Sequence, residues 1–411
     1  MTSDSSPTIA IIGGGAAGFF TAVTAAESNP LAKVHLFEKG RRFLTKVKVS
    51  GGGRCNVTHA CFDPADFSKR YPRGSRELKA AFHRWQARDT VQWFESRGMK
   101  MKAEDDGRMF PITDSSQTVI DTLTDAAKLS GVSLHPNTGI NEFHPAPSGI
   151  GLTFENGETV LYDRVCLAAG SLKGSSLPNS LESLGHTIEA LVPSLFAVNC
   201  SDQRTDGLSG VSVPNAAVRI SGSKRWHSGP LLITHRGLSG PAILRLSAWE
   251  AREAHSADYH FPLEVAWTGE TNRERVLDTL RDWTTKSAKK MVKNACPYAL
   301  PQRLWEKLLD AAGAAPCNPW SQVPKSQIQS IATEISGSTF SITGKTTNKE
   351  EFVTCGGVRR KEIDFRTMES RIVPRLHFAG ECIDIDGITG GFNFQAAWTG
   401  GRIAGLAMAN G

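Results

Sequence analysis

Two hydrophobic rhythms divide this chain. Residues 9–12 (Ile-Ala-Ile-Ile) form an unbroken apolar run that ends in three glycines, which predicts a short buried strand. Residues 19–26 predict a helix, and residues 34–37 (Val-His-Leu-Phe) predict a second strand. Leu78, Ala81, Phe82 and Trp85 then recur at helical spacing. Asp89 is placed as N-cap of a helix carrying Val91, Trp93 and Phe94, with Gly98 at its end. Residues 107–111 read as a compact turn. Ser116 opens a helix with Val119, Ile120, Leu123 and Ala127 inward, ending at Gly131. A strand at 132–134 follows, then a hairpin over 150–162 with Asn156-Gly157 as its turn. Residues 164–169 are a buried strand running into Gly170. Strands alternating with helices over roughly the first 175 residues predict a doubly wound α/β domain with a small β insertion.

From Ser194 onward the rhythm changes. Short strands at 195–200, 211–213, 218–220, 231–234 and 263–267 predict a small antiparallel sheet or barrel. A helical block follows, with Thr271 and Glu274 as a capping box ahead of Val276, Leu277, Leu280 and Trp283. Pro301 starts a helix with Leu304, Leu308 and Leu309, and Ile328, Ile331 and Ile335 mark another. Strand character returns at 340–343. The end of the chain reverts to the first rhythm. It has a Gly-rich turn at 354–358, a buried strand at 376–381, and a Gly-rich loop at 386–391 that enters a helix of small residues. The expected architecture is a discontinuous Rossmann-type α/β domain, residues 1–190 and 351–411, interrupted by 191–350. Within the interruption, 191–270 and 336–350 read as barrel-like and 271–335 as helical.

The chemistry is concentrated where glycines interrupt these patterns. Gly13, Gly15 and Gly18 stand in G-x-G-x-x-G spacing between the first strand and helix, and Glu38 ends the second strand twenty residues on. This is the dinucleotide fingerprint: a tight turn, a close backbone approach, and a pyrophosphate on the helix N-terminus. Gly14, Ala16, Ala17 and Lys39 belong to the same cofactor-binding set. A carboxylate at Glu38 suits free ribose hydroxyls and repels a 2′-phosphate, so FAD or NAD fits better than NADP. Ser50, Gly51, Gly52, Gly53, Arg54, Cys55 and Asn56 form a second Gly-rich loop that can press its backbone on a flat or anionic ligand. Near the end, a helix N-terminus at Gly391 and Phe392 points free N–H groups at another part of that ligand.

Composition narrows the class. The chain has 411 residues, 40% apolar and 21% charged, with a net charge of +6. That is ordinary for a globular protein, and the modest charge does not by itself argue for nucleic acid, which is not expected as a partner despite basic stretches at 39–42 and 69–70. No apolar run reaches membrane-spanning length, and Asp4 stands where a signal peptide would be basic. The eight cysteines include no C-x-x-C, so they read as free thiols in a reducing cytoplasm, with the C-x₅-C spacing of Cys55 and Cys61 coincidental. The histidines form no HxH or HExxH pattern, and no metal is expected.

Three motifs together carry a family resemblance. They are the 49–56 segment Val-Ser-Gly-Gly-Gly-Arg-Cys-Asn, the 234–241 segment Thr-His-Arg-Gly-Leu-Ser-Gly-Pro, and Gly380-Glu381 running on to Asp386 and to Gly391-Phe392-Asn393. With the N-terminal fingerprint and Ala169-Gly170, the chain resembles the BaiN-like, aminoacetone-oxidase-type family of bacterial NAD(P)/FAD-dependent oxidoreductases. The resemblance implies non-covalent FAD in a domain split by an inserted barrel and helical part. Cofactor contacts are expected at the residues already named and at Ile140, Ala169, Gly170, Gly380, Glu381, Asp386, Gly391, Phe392 and Asn393. NAD(P)H is expected as a transient reductant, because no second Rossmann fingerprint follows; Arg236 and Arg108 are candidate anchors for it. His235 is the candidate catalytic acid–base, with a structural histidine at a strand end as the alternative. Ala169 stands where many flavoproteins have Thr, and Pro230 where an acidic residue is expected. The expected function is an FAD-dependent oxidoreductase acting on a small organic molecule. The alternatives are a tRNA-modifying flavoenzyme and a flavin-binding redox protein without its own substrate. Oligomeric state is not written in these motifs.

Overall fold

The computed structural model describes residues 6–346 and 353–410. The chain divides into two compact units, Met1–Leu191 with Val353–Gly411, and Val192–Phe352. The expected return point at residue 351 lies outside the described residues.

The first unit is built on a seven-stranded sheet. Its order is Ile363–Asp364, Glu369–Ser370, Leu376–Phe378, Arg164–Leu167, Thr8–Ile12, Lys33–Phe37 and Ser133–His135. The last five run parallel, and the first two are an antiparallel edge. Strand Thr8–Ile12 is central and buried on both faces, which explains its unbroken apolar run. Helices Ala16–Ser28 and Phe392–Asn410 pack backbone to backbone. A Cβ on Gly401 would fall 2.9 Å from the Ala17 carbonyl, and one on Gly405 would fall 2.7 Å from that of Thr21. The small residues of the last helix are therefore a contact surface.

Several local expectations are corrected. Asp89 does not cap its helix: Gln86 does, and the Asp89 carboxylate at the third position accepts from the Gln86 N–H at 2.8 Å. Asn272, not Thr271, caps Arg273–Lys286 through its side chain. Residues Arg108–Pro111 form a strand paired with Met101–Ala103 rather than a turn. Val353–Val358 is likewise a buried strand, paired with Ile188–Ser194. Gly356 is there because a Cβ would lie 2.1 Å from the Ala190 carbonyl. The hairpin gains a third strand, Ile140–Ala146.

In the second unit, six strands close into a barrel, in the order Ala197–Asn199, Gly237–Ser239, His227–Thr234, Ser212–Ile220, His260–Ala266 and Ser338–Thr346. Its core includes Val198, Leu231, Ile233, Leu263, Val265 and Phe340, covered by Ile243 and Leu246 of helix Pro241–Trp249. A separate core of Val276, Leu280, Trp305, Leu309, Trp320 and Ile331 holds the helical block. The fold class read from the sequence is borne out.

His377 sits inside the main sheet and is 3% exposed. Burial pushes its imidazole down to about 4, and the nearby Glu369 carboxylate offsets this only in part. Burial also lowers His35, His135 and His186. Below pH 6.5 the unfolded chain binds protons that these folded histidines refuse. Stability is therefore full above that pH and falls with acid, by about 3 kcal/mol for His377 alone on reaching about pH 4. His377→Asn should flatten the fall in urea-measured stability between about pH 6.5 and about pH 4.5. Parallel pH profiles for the two proteins would contradict the assignment.

Candidate functional site

The parallel strands all end at one edge of the sheet, and their next residues form the candidate site. Gly13–Gly15 follow Ile12, Glu38 follows Phe37, Ala168–Gly170 follow Leu167, and Ala379–Glu381 follow Phe378. Main-chain bonds lock them together: Ala168 N–H donates to Ile12 O at 2.7 Å, Ala379 N–H to Leu167 O at 2.9 Å, and Gly13 N–H to Phe37 O at 2.8 Å. Open α/β sheets bind ligands at this carboxyl edge.

The three fingerprint glycines are glycine for different reasons. Gly13 has φ +111°, and a Cβ would sit 2.4 Å from the Ala168 carbonyl oxygen. On Gly18 a Cβ would sit 1.9 Å from the Gly13 carbonyl oxygen. Gly15 has an extended backbone, φ −92°, and a Cβ there would meet nothing within 4 Å. Neither backbone strain nor packing accounts for glycine at that position, and the open space there leaves room for a ligand to approach. Gly15 caps helix Ala16–Ser28 without a side-chain bond, so the first-turn N–H groups at Ala16 and Ala17 have no side-chain cap. Ala17 also packs under Gly380, whose Cβ would lie 2.8 Å from that of Ala17.

Glu38 is half-buried and already oriented. Its oxygens accept from Gly14 N–H at 2.9 Å and Gly40 N–H at 2.7 Å, each keeping a lone pair for a further donor. Lys39 is exposed beside it. Ile140 is buried at the start of its strand, close in the chain to Thr138, whose N–H donates to Glu38 O at 2.8 Å.

The second Gly-rich loop closes a short helix. Helical dihedrals end at Ser50, ψ 147°, within the segment Thr45–Gly53. Gly51, Gly52 and Gly53 are all left-handed, at φ +56°, +68° and +85°, and the Cys55 N–H closes the turn on Ser50 O at 3.0 Å. A Cβ on Gly52 or Gly53 would meet nothing within 4 Å. Arg54 is not a free cation: it pairs with Glu104 at 2.6 Å and lies over the Phe110 ring at 4.1 Å. Asn56 holds a buried Oδ1 with no hydrogen-bond donor. That atom lies 2.8 Å from where a Cβ on Gly391 would be, so the loop faces the entry to the last helix. An unsatisfied buried carbonyl costs about 1–3 kcal/mol, which a ligand N–H would recover.

That helix entry is braced from several sides. The Asn393 side chain accepts from Gly387 N–H at 2.8 Å and donates to Gly387 O at 2.9 Å. Tyr71 O–H donates to Phe392 O at 2.6 Å, and the Phe392 ring stacks on His59 at 4.8 Å. Asp386 is fully buried and paired with Arg73 through both carboxylate oxygens, so it holds the loop rather than facing open space. Glu381 accepts from Thr354 N–H at 2.7 Å and from Lys46 at 2.6 Å. A Cβ on Gly170 would lie 3.8 Å from Glu381 Oε2 and 4.0 Å from Lys46 Nζ. Lys46, Arg73 and Tyr71 escaped the sequence reading. Each partner lies hundreds of residues away, and no local pattern announces such a pairing.

Open space at Gly15, the uncapped helix start, the exposed left-handed glycines and the orphan Asn56 carbonyl fit a dinucleotide with a flat ring system. Cys55 and Cys382 do not offer a redox relay. Burial pushes Cys55 and Cys382 up to about 12, so both stay protonated. Among the described residues no cluster of His, Cys, Asp and Glu could hold a metal, and no helix is long and apolar enough to cross a membrane. The remaining sequence candidates are placed differently. Arg108 is tied to Glu104 at 2.8 Å and Asp106 at 2.7 Å, which removes it as a free anion anchor. His235 and Arg236 form an exposed barrel turn in the second unit, between strands His227–Thr234 and Gly237–Ser239.

Comparison with known proteins agrees with this geometry. The family described as "HI0933-like protein Rossmann domain" matches residues 7–407. The chain is 30% identical over 400 residues to "Ribosomal RNA dihydrouridine synthase" of Escherichia coli, covering 95% of this chain and 94% of that protein. It is 26% identical over 418 residues to "3-dehydro-bile acid delta(4,6)-reductase" of Clostridium scindens, covering 98% of each. Among solved structures, 3-ketosteroid-delta4-(5alpha)-dehydrogenase from Rhodococcus jostii superposes with a TM-score of 0.52 at 13% identity, covering 100% of this chain and 99% of that one, a likeness of fold. The resemblance read from the motifs is borne out, and the chain belongs to the HI0933-like Rossmann family as an FAD-dependent oxidoreductase.

Proposed function

We propose that this enzyme saturates a carbon–carbon double bond conjugated with a carbonyl group. The observation that carries the reading is the pair of relatives matched over nearly the whole chain. A dihydrouridine synthase and a bile acid delta(4,6)-reductase act on unrelated molecules, yet both names describe loss of a ring double bond. FAD, when bound, supplies the hydride for the carbon β to the carbonyl. The first-turn N–H groups after Gly15 hold its pyrophosphate and Glu38 accepts from its ribose. The 50–56 loop, Glu381 and the start of helix Phe392–Asn410 fix its far end. In this reading residues 1–190 and 351–411 are the cofactor domain and 191–350 the inserted one. Electrons come from NAD(P)H docking transiently, and His235 delivers the proton to the carbon α to the carbonyl.

A second reading places the same bond in a uracil ring of RNA. It is favoured by the 30% identity to the protein named as a ribosomal RNA enzyme. The test is anaerobic turnover of the purified holoprotein with NADH or NADPH. Acceptors are a steroid 4,6-dien-3-one, a simple cyclic enone and a uridine-containing RNA. The expected product carries two added hydrogens by mass spectrometry, and His235→Ala is the arm that tests proton delivery. A flavin that is reduced but passes hydride to none of these acceptors would overturn the proposal.

A further inference from the structure

Between Asp282 and Glu306 the chain carries Lys286, Lys289, Lys290, Lys293 and Arg303 and no carboxylate residue. Lys286 has a partner in Asp282 at 3.2 Å. Lys289, Lys290 and Lys293 have no carboxylate within ion-pair distance among the described residues. Lys289 and Lys290 are exposed, and Met291 between them and Lys293 is 47% exposed.

Solvated charge runs are common and usually mobile. This one is held rigidly. Val292 is fully buried. Val292 N–H donates to Asn318 O at 3.0 Å, Lys293 N–H to Pro316 O at 3.1 Å, Trp320 N–H to Lys290 O at 3.0 Å and Ser321 N–H to Ala288 O at 3.0 Å. Three indoles brace it from beneath. Trp305 Nε1 donates to Val292 O at 2.9 Å, and Trp283 and Trp320 donate to Ala295 O at 2.7 and 3.0 Å. The fold thus fixes the backbone of a loop that carries the exposed Lys289 and Lys290 and the half-buried Lys293, none paired with a carboxylate among the described residues.

We propose that this loop of the helical block is a docking platform for the phosphate backbone of RNA. The proposal rests on the RNA reading of the substrate and names the surface that reading needs. Unpaired lysines on a braced backbone present fixed positive charge to phosphates, and each contact releases counter-ions at no cost in broken ion pairs. The local charge, rather than the modest net charge of the chain, is the relevant quantity.

The experiment is filter binding of full-length holoprotein to transcribed ribosomal RNA fragments over a salt series. Wild type is compared with the triple variant Lys289→Gln, Lys290→Gln, Lys293→Gln. A charge-matched control carries Lys79→Gln, Lys100→Gln and Lys361→Gln, all exposed positions in the other unit. The loop triple should weaken binding by about tenfold or more and reduce the log–log salt slope by about 2 to 3. The control triple should retain most of the affinity, and both variants should keep the wild-type flavin spectrum and melting temperature. Equal weakening by the two triples, or no weakening by either, overturns the platform. So does loop-dependent binding to anionic phosphatidylserine vesicles with none to RNA. Loss of uridine reduction with intact loop-dependent RNA binding would instead refute the substrate reading and leave the surface standing.

Discussion

Gly15→Val yields a folded protein that purifies without flavin. The prediction follows from the contrast among the fingerprint glycines. A side chain at Gly15 meets no protein atom within 4 Å, and the backbone there, φ −92° and ψ −169°, is one that valine adopts readily. The apo fold should therefore be unharmed, with thermal midpoint and circular dichroism matching those of wild-type apoprotein. The isopropyl group would fill the space over the first-turn N–H groups of helix Ala16–Ser28, where a pyrophosphate must approach. Charge-assisted bonds of this kind contribute about 1.5–3 kcal/mol each, so loss of two should weaken FAD binding by at least about a hundredfold. Quenching of flavin fluorescence on titration with apoprotein gives the affinity directly. Gly13→Val is the contrasting variant: its Cβ overlaps the Ala168 carbonyl, and it should lose folding and flavin together. Wild-type FAD affinity in a folded Gly15→Val protein would remove the fingerprint from the cofactor site.

The elements that the sequence announced are those whose reason is local. The strand at residues 9–12, its glycines and Glu38 are legible because a buried parallel strand, a tight turn and a carboxylate at a strand end all leave marks within a short window. The barrel strands were visible for the same reason, although Ser212–Ile220 read as two pieces across a bulge between Val213 and Ala216. What the sequence hid depends on distant partners. Gly356 and Gly357 read as a turn, yet Gly356 faces the Ala190 carbonyl and Gly357 that of Cys382, so they are glycine because other backbones pass close by. Asp386 is expected at the cofactor only from the family resemblance. Only the folded chain brings Arg73 to it. Arg108 looked like an open cation because nothing in a compact turn at 107–111 marks Glu104 and Asp106 as its partners.

The buried pair Arg73 and Asp386 should dominate the stability of the cofactor loop. Asp386 is fully buried and Arg73 nearly so. Around them the 70–73 segment is zipped to the 386–392 loop: Ile388 N–H donates to Arg70 O at 3.0 Å, Tyr71 O–H to Phe392 O at 2.6 Å, and Arg73 and Asp386 form a β-bridge. A Cβ on Gly74 would lie 2.5 Å from Ile385, so this seam is close-packed. Asp386→Ala takes the bidentate partner from a nearly buried guanidinium that cannot shed its proton, with Asp384 left as a more distant counter-charge. The expected cost is about 3–5 kcal/mol, more than the pair itself contributes over apolar residues of similar volume. Arg73→Met with Asp386→Leu removes both charges and should recover most of that loss. Urea unfolding of the apoproteins measures the difference, since cofactor binding would otherwise add its own stabilisation. FAD titration of the same set separates folding from positioning. If the pair also sets the angle at which helix Phe392–Asn410 meets the flavin, the stable double variant still binds FAD more weakly than wild type. If Asp386→Ala loses less than about 1 kcal/mol, the pair does not carry the stability of the loop that its burial implies.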